Sequence, residues 1–120
     1  MQVTFRDIAI SMPQVTEGSH GGLADFRVGG RIFATLGDPD EHTGIVALRP
    51  QAQRSLCGAA PEIFTPVPGA RGRAGATYIN LLTVDSETLR SALAAAWQHR
   101  RPPAVPRVRV AGRRTTGRSQ

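Results

Sequence analysis

Residues 25–37 read DFRVGGRIFATLG, two strand-like runs joined by a pair of glycines. Two glycines supply the positive φ angles that a two-residue hairpin turn requires. Such a turn pairs Val28 with Arg31 and Phe26 with Phe33, and it places the three apolar members of these pairs on the core face. The segment therefore predicts a β-hairpin whose register follows from its turn.

Two charged side chains from the first strand of this hairpin are predicted to lie on its other face. Asp25 and Arg27 would sit together there, alongside Ile32 and Ala34, because side chains alternate along a strand. This face of the sheet is therefore the candidate location of a binding site.

The flanking sequence predicts an α+β fold, an antiparallel sheet with helices packed on one face, in the order α-β-β-β-α-β-β-α. Residues 3–12 show apolar side chains at helical spacing and end before a proline. Asp85 suits the N-cap of a helix that carries the strongest apolar stripe of the chain, including Trp97. The other predicted elements are strands at 44–48, 62–66 and 77–84 and a short helix at 50–57. Residues 69–75 (GARGRAG) are predicted to form a flexible, cationic loop.

The basic charge of the chain is concentrated at its C-terminus. All 15 basic residues are arginines, and residues 1–99 contain eight of them against all nine acidic residues, a net charge of −1. Residues 100–120 contain seven arginines and no acid, a net charge of +7. From residue 102 onward the composition is too poor in apolar side chains to offset the entropy of ordering it. We therefore predict an α+β domain at 1–101 followed by a disordered Arg/Pro-rich tail at 102–120.

Length and composition exclude several classes of protein. A chain of 120 residues corresponds to one ordinary domain. No apolar run approaches the roughly 20 residues that a membrane span needs, and no signal peptide is recognisable, so we expect a cytoplasmic protein without a membrane partner. Cys57 is the single cysteine, which excludes a cysteine metal cluster. No nucleophile, metal or cofactor motif is present, which favours a binding protein over an enzyme.

Four stretches, in this order and spacing, resemble the MmcQ/YjbR family of small bacterial proteins. They are SMPQVTEGSHG (11–21), DFRVGGRIFATLG (25–37), PEIFTPVPGARGRAGAT (61–77) and ETLRSALAAAWQHR (87–100). The resemblance covers residues 4–101 and implies a fold similar to that of frataxin and CyaY. It also implies DNA binding, because family members are commonly labelled so after a proposed pair of β-hairpin wings. The chain departs from the family pattern at Gly21, Arg31 and Arg71, where relatives often carry His, Lys and Trp.

The first candidate site is a set of arginines on loops and in the tail. Guanidinium groups bind phosphates bidentately, so they would hold DNA without reading its sequence. Its members are Arg27, Arg31, Arg71 and Arg73 in the domain and Arg113 and Arg114 in the tail. The alternative is that the domain arginines are ordinary solvated side chains. The tail alternatively suits an acidic partner, anionic lipid, or no partner at all.

The second candidate site is a polar cluster formed by Glu17, His20 and Asp25, with Arg27 nearby. Carboxylates beside an imidazole suit a non-catalytic pocket for a small molecule or a protein partner, and less readily acid–base catalysis. The alternative is a set of surface residues near a turn. A continuous positive surface would favour DNA, and a concave pocket walled by the cluster would favour a small ligand.

Overall fold

The computed structural model describes residues 2–102. Its elements, in chain order, are α1 (Gln2–Ser11), β1 (Val15–His20), β2 (Leu23–Val28), β3 (Arg31–Leu36), β4 (Thr43–Ala47), α2 (Pro50–Ala59), β5 (Phe64–Pro66), α3 (Ala70–Arg73), β6 (Ala76–Asn80) and α4 (Ser86–Arg100). Within these residues the strands form one six-stranded sheet in the order β1-β2-β3-β4-β6-β5, and all neighbouring strands run antiparallel. The predicted α+β class is confirmed.

The apolar strand β4 lies between β3 and β6, as its composition indicates, and the proline-ended β5 lies at one edge. The strand at the other edge, β1, was not predicted. Its sequence VTEGSH is mostly polar, and its side chains are exposed or half-buried. An edge strand of this kind contributes few apolar side chains to the core, so the alternation that reveals a strand is missing.

The glycine-rich segment that was predicted as a flexible loop contains the short helix α3. The buried Gln53 of α2 holds it in place, because its Nε2 donates to the carbonyl oxygens of Gly72 at 2.9 Å and of Ala76 at 3.0 Å. A Cβ at Gly72 would lie 1.6 Å from the carbonyl oxygen of Val67, so the glycine permits a close backbone approach. A side chain far away in sequence thus orders this segment.

The hairpin register agrees with the prediction at the turn and departs from it one step later. Val28 pairs with Arg31, as expected, but Phe26 pairs with Ala34 instead of Phe33. The ladder shifts between Phe26 and the following residue, and Phe33 is the additional residue of a β-bulge. Ala34 therefore lies on the core face with Phe26, where the unshifted register predicted it on the opposite face.

The core lies between one face of the sheet and the helices α1, α2 and α4. Phe5 of α1 packs so closely on Gly44 of β4 that a Cβ there would lie 2.5 Å from the ring. Leu89 and Leu93 of α4 are fully buried in the same cluster. Trp97 packs against it, as predicted, and donates its ring N–H to the carbonyl oxygen of Pro13.

The opposite face of the sheet, turned away from these three helices, is called the open face here. Because side chains alternate along each strand, the neighbours of Gly44 and Val46 on β4 point to it. The cross-strand pairs extend one row of the open face across the sheet. That row consists of Gly18, Asp25, Thr35, Ile45, Tyr78 and Thr65.

Candidate functional site

A pocket of about 290 Å³ lies on the open face over β3, β4 and β6. Its floor includes Ile32, Thr35, Ile45, Ala47 and Ala76. His20 from the edge strand β1, Arg71 of α3 and Arg100 of α4 also line it. This open-face pocket therefore combines a mostly apolar floor with nitrogen-bearing side chains from three different elements.

Asp25 is fully buried beside this pocket and is held by three hydrogen bonds. Arg27 donates its Nε to Oδ1 at 2.8 Å and an Nη to Oδ2 at 3.1 Å, and the Nδ1 of His20 donates to Oδ2 at 2.8 Å. The hydrogen bond from Arg27 is the main reason why the pKa of Asp25 falls to about 2, and burial opposes it. Gly18 leaves room for this ion pair, since a Cβ there would lie 3.0 Å from Oδ1.

The Asp25 carboxylate determines how His20 is oriented. An ionised carboxylate only accepts hydrogen bonds, so the ring proton lies on Nδ1 and Nε2 remains available. The His20 side chain is 46% exposed, whereas Asp25 is inaccessible. The pair thus presents an oriented imidazole to the pocket while the carboxylate itself stays out of contact with solvent.

Arg71 and Arg100 differ from Arg27 in having no carboxylate partner within residues 2–102. The Nε of Arg100 is buried and has no hydrogen-bond partner there either. A buried donor without an acceptor costs stability, on the order of 1–3 kcal/mol. These two guanidinium groups therefore give the pocket uncompensated positive charge.

The positive charge extends beyond the pocket to one end of the sheet. The pKa of His99 is lowered, mainly by burial and then by the positive charges of Arg100, Arg49 and Arg31. These three cations therefore lie around one imidazole. The hairpin turn also lies against the second residue after α4, because a Cβ at Gly29 would be 2.4 Å from Pro102. Chain segments that are far apart in sequence thus bring their arginines together.

The junction between β4 and α2 adjoins α3 at this same end. The backbone N–H of Leu48 donates to the carbonyl oxygen of Gly75 at 3.1 Å, which brings Arg49 close to the segment that bears Arg71 and Arg73. We call this region the basic end. Its members among the described residues are Arg31, Arg49, Arg71, Arg73, Arg100 and Arg101.

Acidic side chains collect at the other end of the strands. The turn after β3 is closed by a hydrogen bond from Gly37 to Thr43 and carries three acids, and Glu62 lies beside the same turn. Asp85 caps α4 by accepting from the N–H of Thr88. The acidic end comprises Asp38, Asp40, Glu41, Glu62, Asp85 and Glu87. A six-residue strand separates the two ends by roughly 20 Å. Positive and negative side chains are therefore strongly segregated, although the net charge is near zero.

Comparison with known proteins identifies the family. The model of the YjbR family matches residues 10–99, which include β1 through almost all of α4. The chain belongs to the YjbR family. A solved structure of the Deinococcus radiodurans protein DR2400, which carries the domain DUF419, is similar in fold with a TM-score of 0.62. The two chains are 20% identical over 77% of this chain and 72% of the other. No curated protein matches the chain in sequence.

The predicted polar cluster is divided in this YjbR domain. His20, Asp25 and Arg27 are in contact, as proposed from the sequence. Glu17 is not part of this group, because it pairs with Phe26 on the helix-covered face and forms an ion pair with Arg6 of α1. His20 is three positions away from Glu17 on the same strand, and alternation sends the two side chains to opposite faces.

The predicted arginine set is divided as well. Arg27 is bound to Asp25 on the open face, whereas Arg31 pairs with Val28 and lies near His99 on the helix-covered side. Arg71 and Arg73 are exposed on α3. Arg113 and Arg114 lie outside the described residues.

Sequence reasoning missed Arg100 as a member of the pocket. Its position in the last turn of α4 predicts a favourable interaction with the helix dipole, and this signal carries no information about where the helix ends in space. The described part of the YjbR chain holds no group of three or more metal-ligating side chains. Its helices are also too short or too polar to cross a bilayer.

Proposed function

We propose that this protein binds duplex DNA without catalysis, by contacting the phosphate backbone with the arginines of its basic end. The observation that carries the proposal is the segregation of charge: six described arginines lie at one end of the sheet, and six acids lie at the other. Arginine forms bidentate hydrogen bonds with phosphate, and such contacts hold DNA without distinguishing its bases.

The arrangement of these arginines suits an extended polyanion. Arg31, Arg49, Arg71, Arg73 and Arg101 are exposed, and they project from the hairpin, the start of α2, α3 and the end of α4. Several separate phosphates would therefore be contacted at once. Arg27 has no part in the proposal, because its guanidinium is already bound to Asp25.

The C-terminal sequence adds to the same interaction. Residue 102 lies at the basic end, and the sequence after it contains five further arginines, Arg113 and Arg114 among them. On this proposal the tail increases the number of phosphate contacts and the domain supplies the defined surface. The two contributions are separable by experiment.

The test is the salt dependence of DNA binding, measured by fluorescence anisotropy on a short labelled duplex. Each phosphate contact adds roughly 0.9 to the slope of log K against log salt, so the double variant Arg71→Ala/Arg73→Ala should lower the slope by about two. The control is Arg6→Ala/Arg90→Ala, which removes the same charge away from the basic end and should leave the slope unchanged. Equal losses in both pairs would show that only net charge matters and would contradict the proposal.

A chain shortened after Pro102 separates the tail from the domain. We expect weaker binding with a smaller slope, which Arg71→Ala/Arg73→Ala reduces further. If the shortened chain does not bind DNA even at low salt, the basic end is not the interface and the proposal fails.

A further inference from the structure

We propose that the open-face pocket is a site for a small organic anion, a single phosphate or carboxylate group on a compact apolar body. This site is distinct from the DNA-binding surface, although Arg71 and Arg100 belong to both. The proposal depends on the shape of the floor, on the two unpaired guanidinium groups and on the neutralised Asp25.

The floor of the pocket is hollow because small side chains meet across two strands. Ala47 of β4 pairs directly with Ala76 of β6, so two methyl groups stand where larger side chains would fill the face. Ile45 and Ile32 provide apolar walls next to them. The volume of about 290 Å³ lies near the lower limit for small-molecule pockets, which is roughly 300 Å³. The hollow therefore fits a body the size of one ring.

The positive side of the pocket fits one anionic group. Arg71 approaches from α3 and Arg100 from the end of α4, so the two cations come from elements that the tertiary fold brings together. The buried Nε of Arg100 lacks an acceptor within the protein, and a ligand oxygen would supply one. Two guanidinium groups in a partly apolar site bind an anion more strongly than they would in open solvent.

Asp25 does not repel such a ligand. Its two carboxylate oxygens already accept three hydrogen bonds, and its negative charge is paired with Arg27. The same network orients His20, whose Nε2 remains available to a polar substituent of the ligand. A DNA backbone phosphate has no apolar body to place on the floor, and for this reason the pocket suits a small molecule better.

Phenyl phosphate is the probe that tests the proposal, titrated into the full-length ¹⁵N-labelled protein. The comparators are inorganic phosphate, which lacks the ring, and phenol, which lacks the anion. We expect chemical-shift changes at the amides of Thr35, Ile45 and Ala47, with phenyl phosphate binding at least about tenfold more tightly than either comparator. Shifts confined to other parts of the protein, or equal binding of phosphate and phenyl phosphate, would overturn it.

Variants that fill the pocket without changing its charge make the test specific. Ala47→Leu fills the floor of the pocket. Ala74→Leu fills space at the pocket rim, and because this position is exposed the change carries little risk to folding. Each should weaken phenyl phosphate binding at least about tenfold. The exposed Ala59→Leu is the matched control and should change nothing. Unchanged affinity in Ala74→Leu and in a folded Ala47→Leu would refute the site.

The cationic contribution has its own variant. Arg100→Gln removes the charge and keeps most of the side-chain length, and it should weaken binding by about tenfold or more, because hydrogen bonds to charged groups are among the stronger ones. The salt slope of DNA binding should stay unchanged in Ala47→Leu, so failure of the pocket and failure of the DNA-binding proposal are distinguishable.

Discussion

Asp25 and Phe26 are neighbours on β2, both are completely buried, and they point to opposite faces of the sheet. Phe26 packs in hydrocarbon beside Phe5, with ring centroids 6.0 Å apart at an angle of 53°. Asp25 is enclosed by the hydrogen bonds of Arg27 and His20. Equal burial is therefore achieved by two kinds of interaction, one indifferent to pH and salt and the other dependent on ionisation.

The contrast holds for the two faces as a whole. The helix-covered face contributes a continuous apolar cluster from α1, α2 and α4. The open face has one row that runs from Asp25 through Thr35 and Ile45 to Tyr78, and it contains the pocket. The first face supplies most of the folding free energy, because apolar burial dominates it, and this leaves the second free to carry polar groups and a cavity.

Replacing Phe26 should cause the largest loss of stability. Phe26→Ala removes a ring from a site without exposure and leaves a cavity, so the free energy of unfolding should fall by about 3–5 kcal/mol. Urea denaturation followed by circular dichroism measures it. The loss should be the same near pH 6 and near pH 3, because no charge is involved, and a loss below about 1 kcal/mol would contradict a packed core at this position.

Replacing Asp25 should cause a smaller loss that depends on pH. Asp25→Asn keeps the shape and removes the charge that Arg27 and His20 contact, so the unfolding free energy near neutral pH should fall by about 2–3 kcal/mol. The pKa of Asp25 is lowered from 3.8 to about 2 in the folded protein. The wild-type carboxylate thus stabilises the fold above about pH 4, and this stabilisation is lost as the pH falls toward 2.

The difference between wild type and Asp25→Asn should accordingly shrink from pH 6 to pH 3, while that of Phe26→Ala stays constant. Urea titrations of the three proteins at both pH values make the comparison. The pKa of Asp85 is also lowered, because its carboxylate accepts hydrogen bonds from Thr88. Its contribution to the pH dependence of stability is the same in all three proteins and cancels from the differences. A pH-independent loss in Asp25→Asn would mean that the carboxylate is not held as an ion.

Replacing Glu17 should have the smallest effect on stability. The result tests whether the polar network is confined to the open face. Its ion pair with Arg6 is solvent-exposed, with side chains 42% and 34% accessible, so Glu17→Gln should cost no more than about 0.5 kcal/mol. Thermal unfolding at low and high salt measures it. An effect as large as that of Asp25→Asn would show that Glu17 belongs to the same network.

The errors of sequence analysis share one origin. Glu17 was grouped with His20 and Asp25 because the three are close in sequence. Alternation along the unrecognised strand β1 points Glu17 to the helix-covered face, whereas His20 lies on the open face with Asp25. The register error at Phe33 has a similar cause, since a bulge is not determined by the turn beside it. Proximity along the chain predicts contacts only when the faces of each strand are known.

Local preferences of the chain were enough to predict the glycine turn, the long helix after Asp85, the α+β class and the family resemblance. They were enough because turn angles, helix capping and apolar periodicity act over a few neighbouring residues. The tertiary structure alone decided which charges from distant parts of the sequence meet: Arg100 with Arg71 at the pocket, and Glu17 with Arg6. Electrostatic interactions depend on distances in space, and strand order and register determine those distances only once the whole sheet has formed.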